Sequence, residues 1–378
     1  MTSDPQLQPV GEAPSIAAHA SAEKRASRRV ALEEAVLPPL VALLLAAVVG
    51  DVLILSFGQS PGAVYKLLLD GTWANAYGFG QVLYKATTLT FTGLAVGLGL
   101  RAGLFNIGAE SQLAAGGFLA AVAGMLLPAG LPALLCLPLY VLAAALGGGV
   151  VGAVPGVLKA RFGAHEVIVT IMLNFVVLAL LNYLVSARLH VPDTLHTPEL
   201  GSGALPRLAD YVTPFHGSAA NATILLAIAT AIALGWYLFR TKRGFELRSV
   251  GLQPAAAEYA GVNVAGVTWR ALAVSGAIAG LGGLNYVLGY KHYYEEGFAT
   301  GAGFLGIAVA LVGRSHPIGI VLAALLFATL SQGGLAVNAL VPKQMVDVLQ
   351  AVVILAVATS VPEVRRILRG ARAGSGGR

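Results

Sequence analysis

Of 378 residues, 57% are hydrophobic and only 11% are charged, far below the roughly 25% charge of a soluble domain, so a water-facing surface could not be covered. The single cysteine, Cys136, excludes an intramolecular disulfide framework and a cysteine-based zinc site. The net charge of +6 is gathered in clusters between apolar runs, a pattern of membrane topology and not of nucleic-acid binding.

In chain order, residues 1–34 predict a disordered cytoplasmic tail, polar and scattered with Pro, Ser, Gln and Ala. Its charged stretch is too long for a typical signal peptide, and the apolar run that follows reads as a retained signal-anchor. A helical span takes roughly 20 mainly apolar residues. Such runs lie at about 37–57, 83–100, 133–158, 166–186, 222–239, 268–290, 317–338 and 344–361. Two shorter Gly-rich stretches, about 112–127 and 303–313, read as spans, full or short and broken, and raise the expected total to ten, in a membrane body of 35–365 followed by a basic cytoplasmic tail at 366–378. The fold class is therefore all-α and polytopic. Each half opens on a long span and continues through a Gly-rich short segment in opposite orientation, a layout that suggests an inverted repeat.

The basic residues orient the chain. Lys24, Arg25, Arg28 and Arg29 precede the first span; Arg101, Lys159, Arg161 and Arg314 each follow one; Arg240, Lys242, Arg243 and Arg248 lie between two more; Arg365, Arg366, Arg369, Arg372 and Arg378 close the chain. Ten spans with both termini inside place all of them on the cytoplasmic side, as the positive-inside rule asks. The loop at 187–221 is then the longest external one, a surface on which a partner could bind.

Four stretches combine polar residues with apolar surroundings. The first, AGLFNIGAESQLAAGGF at 102–118, sets Asn106, Gly108, Glu110, Ser111 and Gln112 beside apolar spans. A charge at membrane depth costs about 2.5–3.5 kcal/mol on insertion scales, so Glu110 lies at the cytoplasmic edge or has a partner inside the bundle. An ordinary polar turn and a hinge that shapes a translocation path are both open readings. The second, AHEVIVTIMLN at 164–174, starts like a zinc HExxH but has Val169 where the second His belongs. Glu166 suits a helix start, and Asn174 lies eight residues on, nearly on the same face. A helix-start charge with an interhelical hydrogen bond competes here with a gate or pathway contact.

The third, RTKRGFELRSVGLQPAAAEYAGVNVAGV at 240–267, is too polar to span. Pro254 suits the first turn of a short helix, Ala255, Ala256 and Ala257 favour it, and Gly261 suits its end. A stiff connector and a docking helix for a cytoplasmic partner are the alternatives. The fourth, YKHYYEEGF at 290–298, fits an interfacial aromatic belt or an external contact. Separately, Gly93/Gly97, Gly99/Gly103, Gly148/Gly152/Gly156 and Gly276/Gly280 recur at spacings of four, which lets helices approach closely. No GxxxxGK[ST], GxSxG or metal-ligand cluster occurs, and ionisable residues inside the spans are few, against an ion-coupled mechanism.

FNIGAESQ at 105–112 resembles the FNIG-x-E-G-Q signature of ABC-importer permeases for nucleosides, simple sugars and branched-chain amino acids. EVIVTIMLN at 166–174 resembles the E-V-I-x-T-x-M-L-N segment of the nucleoside and simple-sugar branch, and GFELRSVGLQPAAAEYAGVNV at 244–264 is similar to that branch's ATPase-docking loop. The resemblance implies a type II importer arrangement. Two permease subunits, alike or different, form the pathway, and no cofactor is bound by this chain, since a separate ABC ATPase subunit binds the ATP. An external substrate-binding lipoprotein delivers a nucleoside or simple-sugar solute across the plasma membrane. It also implies ATPase docking through Arg248, Pro254, Ala256, Ala257, Glu258 and Gly261, and a pathway or structural role for Asn106, Gly108, Glu110, Gln112, Glu166 and Asn174. Ser111 stands where the family usually has Gly, and Ala255 where the docking element has Glu. A secondary transporter is the alternative; an intramembrane enzyme would need a convergent nucleophile and base, which the sequence lacks.

Overall fold

The computed structural model describes residues 41, 44–128, 130–342 and 344–356. The expected tails 1–34 and 366–378, and the outer ends of the first and last expected spans, lie outside the described residues. The chain divides into two units, Val49–Ile354 and Met1–Val48 with Leu355–Arg378. The described part of the second unit is helical, and the first and last described helices run from one unit into the other; the packing and sites below belong to the first.

Among the described residues the protein is helical and has no strand, only isolated bridges between His196 and Glu295 and between Arg207 and Asn221. Helices α1 (Leu44–Ser56) and α2 (Pro61–Asp70) meet at 110°. They are followed by α3 (Ala76–Arg101), α4 (Ala109–Leu126), α5 (Ala133–Phe162), α6 (Glu166–Leu184) and α7 (Thr223–Arg240). Next come α8 (Lys242–Leu252), α9 (Pro254–Tyr259), α10 (Val264–Leu281), α11 (Gly283–Val287), α12 (Ala302–Val312) and α13 (Pro317–Val337). The last, α14, is Gln344–Ala356.

Every expected span holds a helix, but they are not ten equal crossings. Among the described residues, six helices are long and apolar enough to cross a membrane, or seven if the bent α1–α2 pair counts as one span. The six are α4, α5, α6 with its π-helical extension to Leu189, α7, α10 continued by α11, and α13. The expected span at 303–313 is α12, whose 11 residues rise about 16 Å, half of a ~30 Å hydrocarbon core. Helix α3 is long enough to cross, at 26 residues, but less apolar than these six. Thr87, Thr90 and Thr92 are buried in protein, so they never meet lipid and need not be apolar. The opposite holds for α6, where only 17% of the apolar window is buried and the sequence is correspondingly hydrophobic.

The tightest packing joins α4, α5 and α10. A methyl group on Gly148 would fall on the Gly276 carbonyl, and one on Gly276 on the Gly148 carbonyl. Gly152 abuts the Leu272 carbonyl, Gly280 that of Ala144, and Gly116 the backbone of Gly280. Without apolar solvent contrast, helices in lipid associate through such backbone approach and the dispersion and weak hydrogen bonds it permits. Toward the opposite end, Tyr140, Phe118, Leu284, Leu288 and Tyr294 form a buried cluster. The Tyr140 hydroxyl donates to the Ser202 carbonyl at 2.6 Å. The segment after α6 is strapped to the segment after α11 by backbone bonds from Thr197 to Tyr294, Leu200 to His292 and Leu205 to Leu288.

Replacing Gly276 with Leu should separate α5 from α10 and cost about 1–3 kcal/mol or more, as overpacking does. Thermal melting of the detergent-solubilised protein should fall by several degrees. Gly62→Ala, in α2 with only the Ser60 hydroxyl near at 3.8 Å, should melt like the parent; equal melting of both variants would contradict this packing.

Candidate functional site

The residues between α3 and α4 run back into the protein. Ser275 lies eleven residues into α10, about 16 Å from its first residue at 1.5 Å per residue. Its hydroxyl donates to the Ala95 carbonyl at 2.6 Å and accepts from Asn106 Nδ2 at 2.8 Å. Asn106 therefore sits well inside the span, and α4 starts from there. Irregular backbone at that depth persists only where protein satisfies it.

The satisfaction is complete in its main parts. Asn106 Nδ2 also donates to Gln112 Oε1 at 2.8 Å, and Gln112 Nε2 returns a bond to Asn106 Oδ1 at 3.1 Å. The Gly108 amide donates to Asn106 Oδ1 at 3.0 Å, and Ser111 Oγ donates to the Gly108 carbonyl at 3.0 Å. From α6, Asn174 Nδ2 donates to the Ile107 carbonyl at 3.0 Å while its Oδ1 accepts from the Ser111 amide at 3.1 Å. Thr170 Oγ1 accepts from the Ile107 amide at 3.3 Å. Glu166 pairs with Lys159 Nζ at 2.6 Å and accepts from the Phe105 backbone. Residues 166, 170 and 174 thus form one row on α6, each gripping the 105–111 segment. Asn106, Ser111, Gln112, Thr170 and Ser275 are fully buried. The arrangement is a saturated clasp: its donors and acceptors are occupied by protein, which suits fixing a backbone rather than binding a solute.

Glu110 takes a different partner. Its carboxylate faces the backbone N–H groups of Gly301, Gly303 and Phe304, at the start of α12. A side chain at Gly303 would overlap the Glu110 backbone, so glycine is what lets the two helix starts meet. The positive end of α12, and that of α4 itself, offset the buried negative charge. Its Oε2 has no hydrogen-bond partner, and none of the ion pairs among the described residues involves Glu110. Of the two expected places for Glu110, the structure gives the inner one, with a helix terminus as partner.

The candidate docking residues occupy two helices, not one. Pro254 opens α9, and Gly261, with φ 82°, lies just past its end. Ala256 and Glu258 are exposed and Ala257 is buried. Arg248 belongs to α8, which the sequence reading did not separate, and its guanidinium lies 5.4 Å from the Phe239 ring centre. Leu252, the last residue of α8, and Tyr259, the last of α9, are 85% and 97% exposed. Helix α8 rests directly on the clasp's lead-in: Gly251 meets Arg101 and Gly103, a methyl on Gly103 being only 3.1 Å from Gly251 Cα. Arg101 in turn donates to the Ser315 carbonyl at 2.9 Å and to that of Arg314 at 3.3 Å. Three of the basic residues expected on one side, Arg101, Arg248 and Arg314, thus lie close together.

Thr170 and Ser275 were missed in the sequence. Thr170 stood midway between Glu166 and Asn174 at helical spacing, which was a usable signal; Ser275 carried none. A second buried set was also missed: Asn285 donates to the Tyr84 carbonyl at 2.9 Å and to Thr88 Oγ1 at 2.8 Å, and accepts from Asn221 Nδ2 at 2.9 Å. No group of three or more metal-ligating side chains occurs among the described residues.

Residues 78–358 match the family model described as branched-chain amino acid transport system / permease component. The chain is 38% identical over 332 residues to the guanosine ABC transporter permease protein NupP of Bacillus subtilis, covering 86% of this chain and 93% of that protein. It is 32% identical over 330 residues to the nucleoside ABC transporter permease protein NupB of Lactococcus lactis, covering 85% and 90%. It is 35% identical over 344 residues to the glucose ABC transporter permease protein TsgB13 of Haloferax volcanii, covering 85% and 87%. No solved structure matches.

Asn106→Ala and Ser275→Ala should each destabilise the protein, and the double variant should cost less than their sum, with a coupling of about 0.5–3 kcal/mol. Denaturant titration of the four proteins measures it; strict additivity would remove the bond from the clasp.

Proposed function

The chain belongs to the permease-component family of branched-chain amino acid transport systems, and from that premise we propose that it forms the translocation pathway of an ATP-driven importer for a nucleoside. The observation that carries the solute is the extended likeness to the guanosine and nucleoside permeases over about nine-tenths of their length. The glucose relative makes simple sugars the second class. The ion-coupled alternative finds no support: Glu110 faces a helix start and Glu166 is held by Lys159, so neither carboxylate forms an ion site.

In this reading the basic end is cytoplasmic, both termini are inside, and the protein lies in the plasma membrane. A separate ATPase subunit docks on α9, with Leu252 and Tyr259 as apolar contacts and Ala256 and Glu258 on the exposed face. An external lipoprotein delivers the solute, and a second permease subunit, a different chain, completes the pathway. When the ATPase dimer closes, α9 moves with α8. Because Gly251 touches Gly103, backbone against backbone, that displacement reaches the 103–108 segment without slack. The clasp then carries it to α4, α6 and α10, and the Glu110 contact carries it to α12.

Proteoliposomes holding the complete complex should take up labelled guanosine only with ATP inside and the binding protein outside. Uptake by this chain alone would sink the proposal. Tyr259→Ala should leave the chain in the membrane and reduce copurification of the ATPase at least tenfold. Gly261→Glu, which forces a non-glycine residue to positive φ, should abolish uptake while the chain still inserts; unchanged uptake would remove α9 from the docking site.

A further inference from the structure

A groove of about 620 Å³ opens between α7 and α10. Its walls are apolar: Ala233 and Leu234 on one side, Val274 and Ile278 on the other. Of the two hydroxyls along the walls, that of Thr230 already donates to the Leu226 carbonyl at 2.7 Å and that of Tyr237 belongs to the charged end, so the stretch between them is apolar. Arg270, Val274 and Ile278 succeed one another at i, i+4 and i+8. The groove therefore runs about 12 Å along α10, at 1.5 Å per residue, from a charged end to a greasy one.

At the charged end stand Arg243 and Arg270, both exposed, with Tyr237 in electrostatic contact with both. Among the described residues neither arginine has a carboxylate partner; the nearby Glu246 is paired with Lys242 at 3.8 Å. Trp236 and Trp269 are exposed at this same level, at 64% and 38%, where amphipathic rings mark the membrane–water boundary. Two uncompensated guanidinium groups therefore sit at headgroup depth above an acyl-sized slot. Basic pockets between spans at that level recognise anionic lipid headgroups. A second copy of this chain would bring its own unpaired arginines to the same face, whereas an anionic phospholipid brings the opposite charge and a chain for the slot.

We propose that the α7–α10 groove is a binding site for an anionic phospholipid, its phosphate held by Arg243 and Arg270 and one acyl chain lying between Ala233, Leu234, Val274 and Ile278. This rests on the charged end meeting the membrane surface and not on the solute carried.

The test is native mass spectrometry of the complete complex, extracted from vesicles of equal phosphatidylglycerol and phosphatidylcholine. The parent should retain phosphatidylglycerol in preference to phosphatidylcholine, and excess inorganic phosphate should not displace it. Arg243→Gln with Arg270→Gln should weaken retention about thirty-fold, roughly five-fold for each basic side chain near the membrane surface. Arg243→Lys with Arg270→Lys should keep most of it. Ala233→Trp should expel the lipid with both arginines intact. Equal retention of the two lipids, or no loss in the glutamine variant, would overturn the proposal. Displacement by inorganic phosphate with no effect of Ala233→Trp would make the site one for free phosphate. A lower oligomeric state in Ala233→Trp with unchanged lipid would make the groove a subunit contact.

Discussion

A stretch of irregular backbone inside a membrane must find every hydrogen-bond partner within the protein, because lipid supplies none. Residues 102–108 impose that demand here. Asn106 answers it on three sides at once, toward Gln112, Gly108 and Ser275, and the row on α6 answers it from a fourth. Helices α3, α4, α6 and α10 are fixed relative to one another by what this one segment requires. Removing any partner leaves a polar group buried and unpaired, which costs about 1–3 kcal/mol.

That constraint also explains where glycine is placed. Segments folded back into a bundle need room, and room at membrane depth comes from helices whose backbones touch. Gly148 against Gly276 brings α5 onto α10, Gly116 against Gly280 brings α4 onto α10, and Gly303 admits the start of α12 beside Glu110. At the basic end the same device works outward: Gly251 lies on Gly103, so the helix that precedes α9 bears on the segment leading to Asn106. The candidate docking helices and the clasp's lead-in therefore lie backbone against backbone.

The polar motifs were legible because polar residues are expensive in an apolar chain, and each had to have a reason. Asn106, Glu110, Gln112, Glu166 and Asn174 stood out for that alone. Their partners did not. Ser275 is one small hydroxyl in a helix of Gly and Ala, 169 residues from the Asn106 it meets, and no local pattern announces it. The short α12 read as a span from its apolarity, since hydropathy reports what surrounds a segment and not whether the surroundings are lipid or protein. Helix α8 escaped notice because its polar face gives weak periodicity next to the proline and glycine that frame α9.

Composition by itself determined that this is a many-helix membrane protein, because solvation energies in lipid act on each residue separately. Spacing alone also fixed α9, since proline and glycine act on their own backbone. The tertiary structure decided that the polar motif between α3 and α4 is a saturated clasp reaching into the span, that a helix start and not a cation faces Glu110, and that Gly251 joins the two candidate sites. Those facts depend on which distant segments come within a few ångströms of one another, and the hydropathy of a single chain carries no record of that.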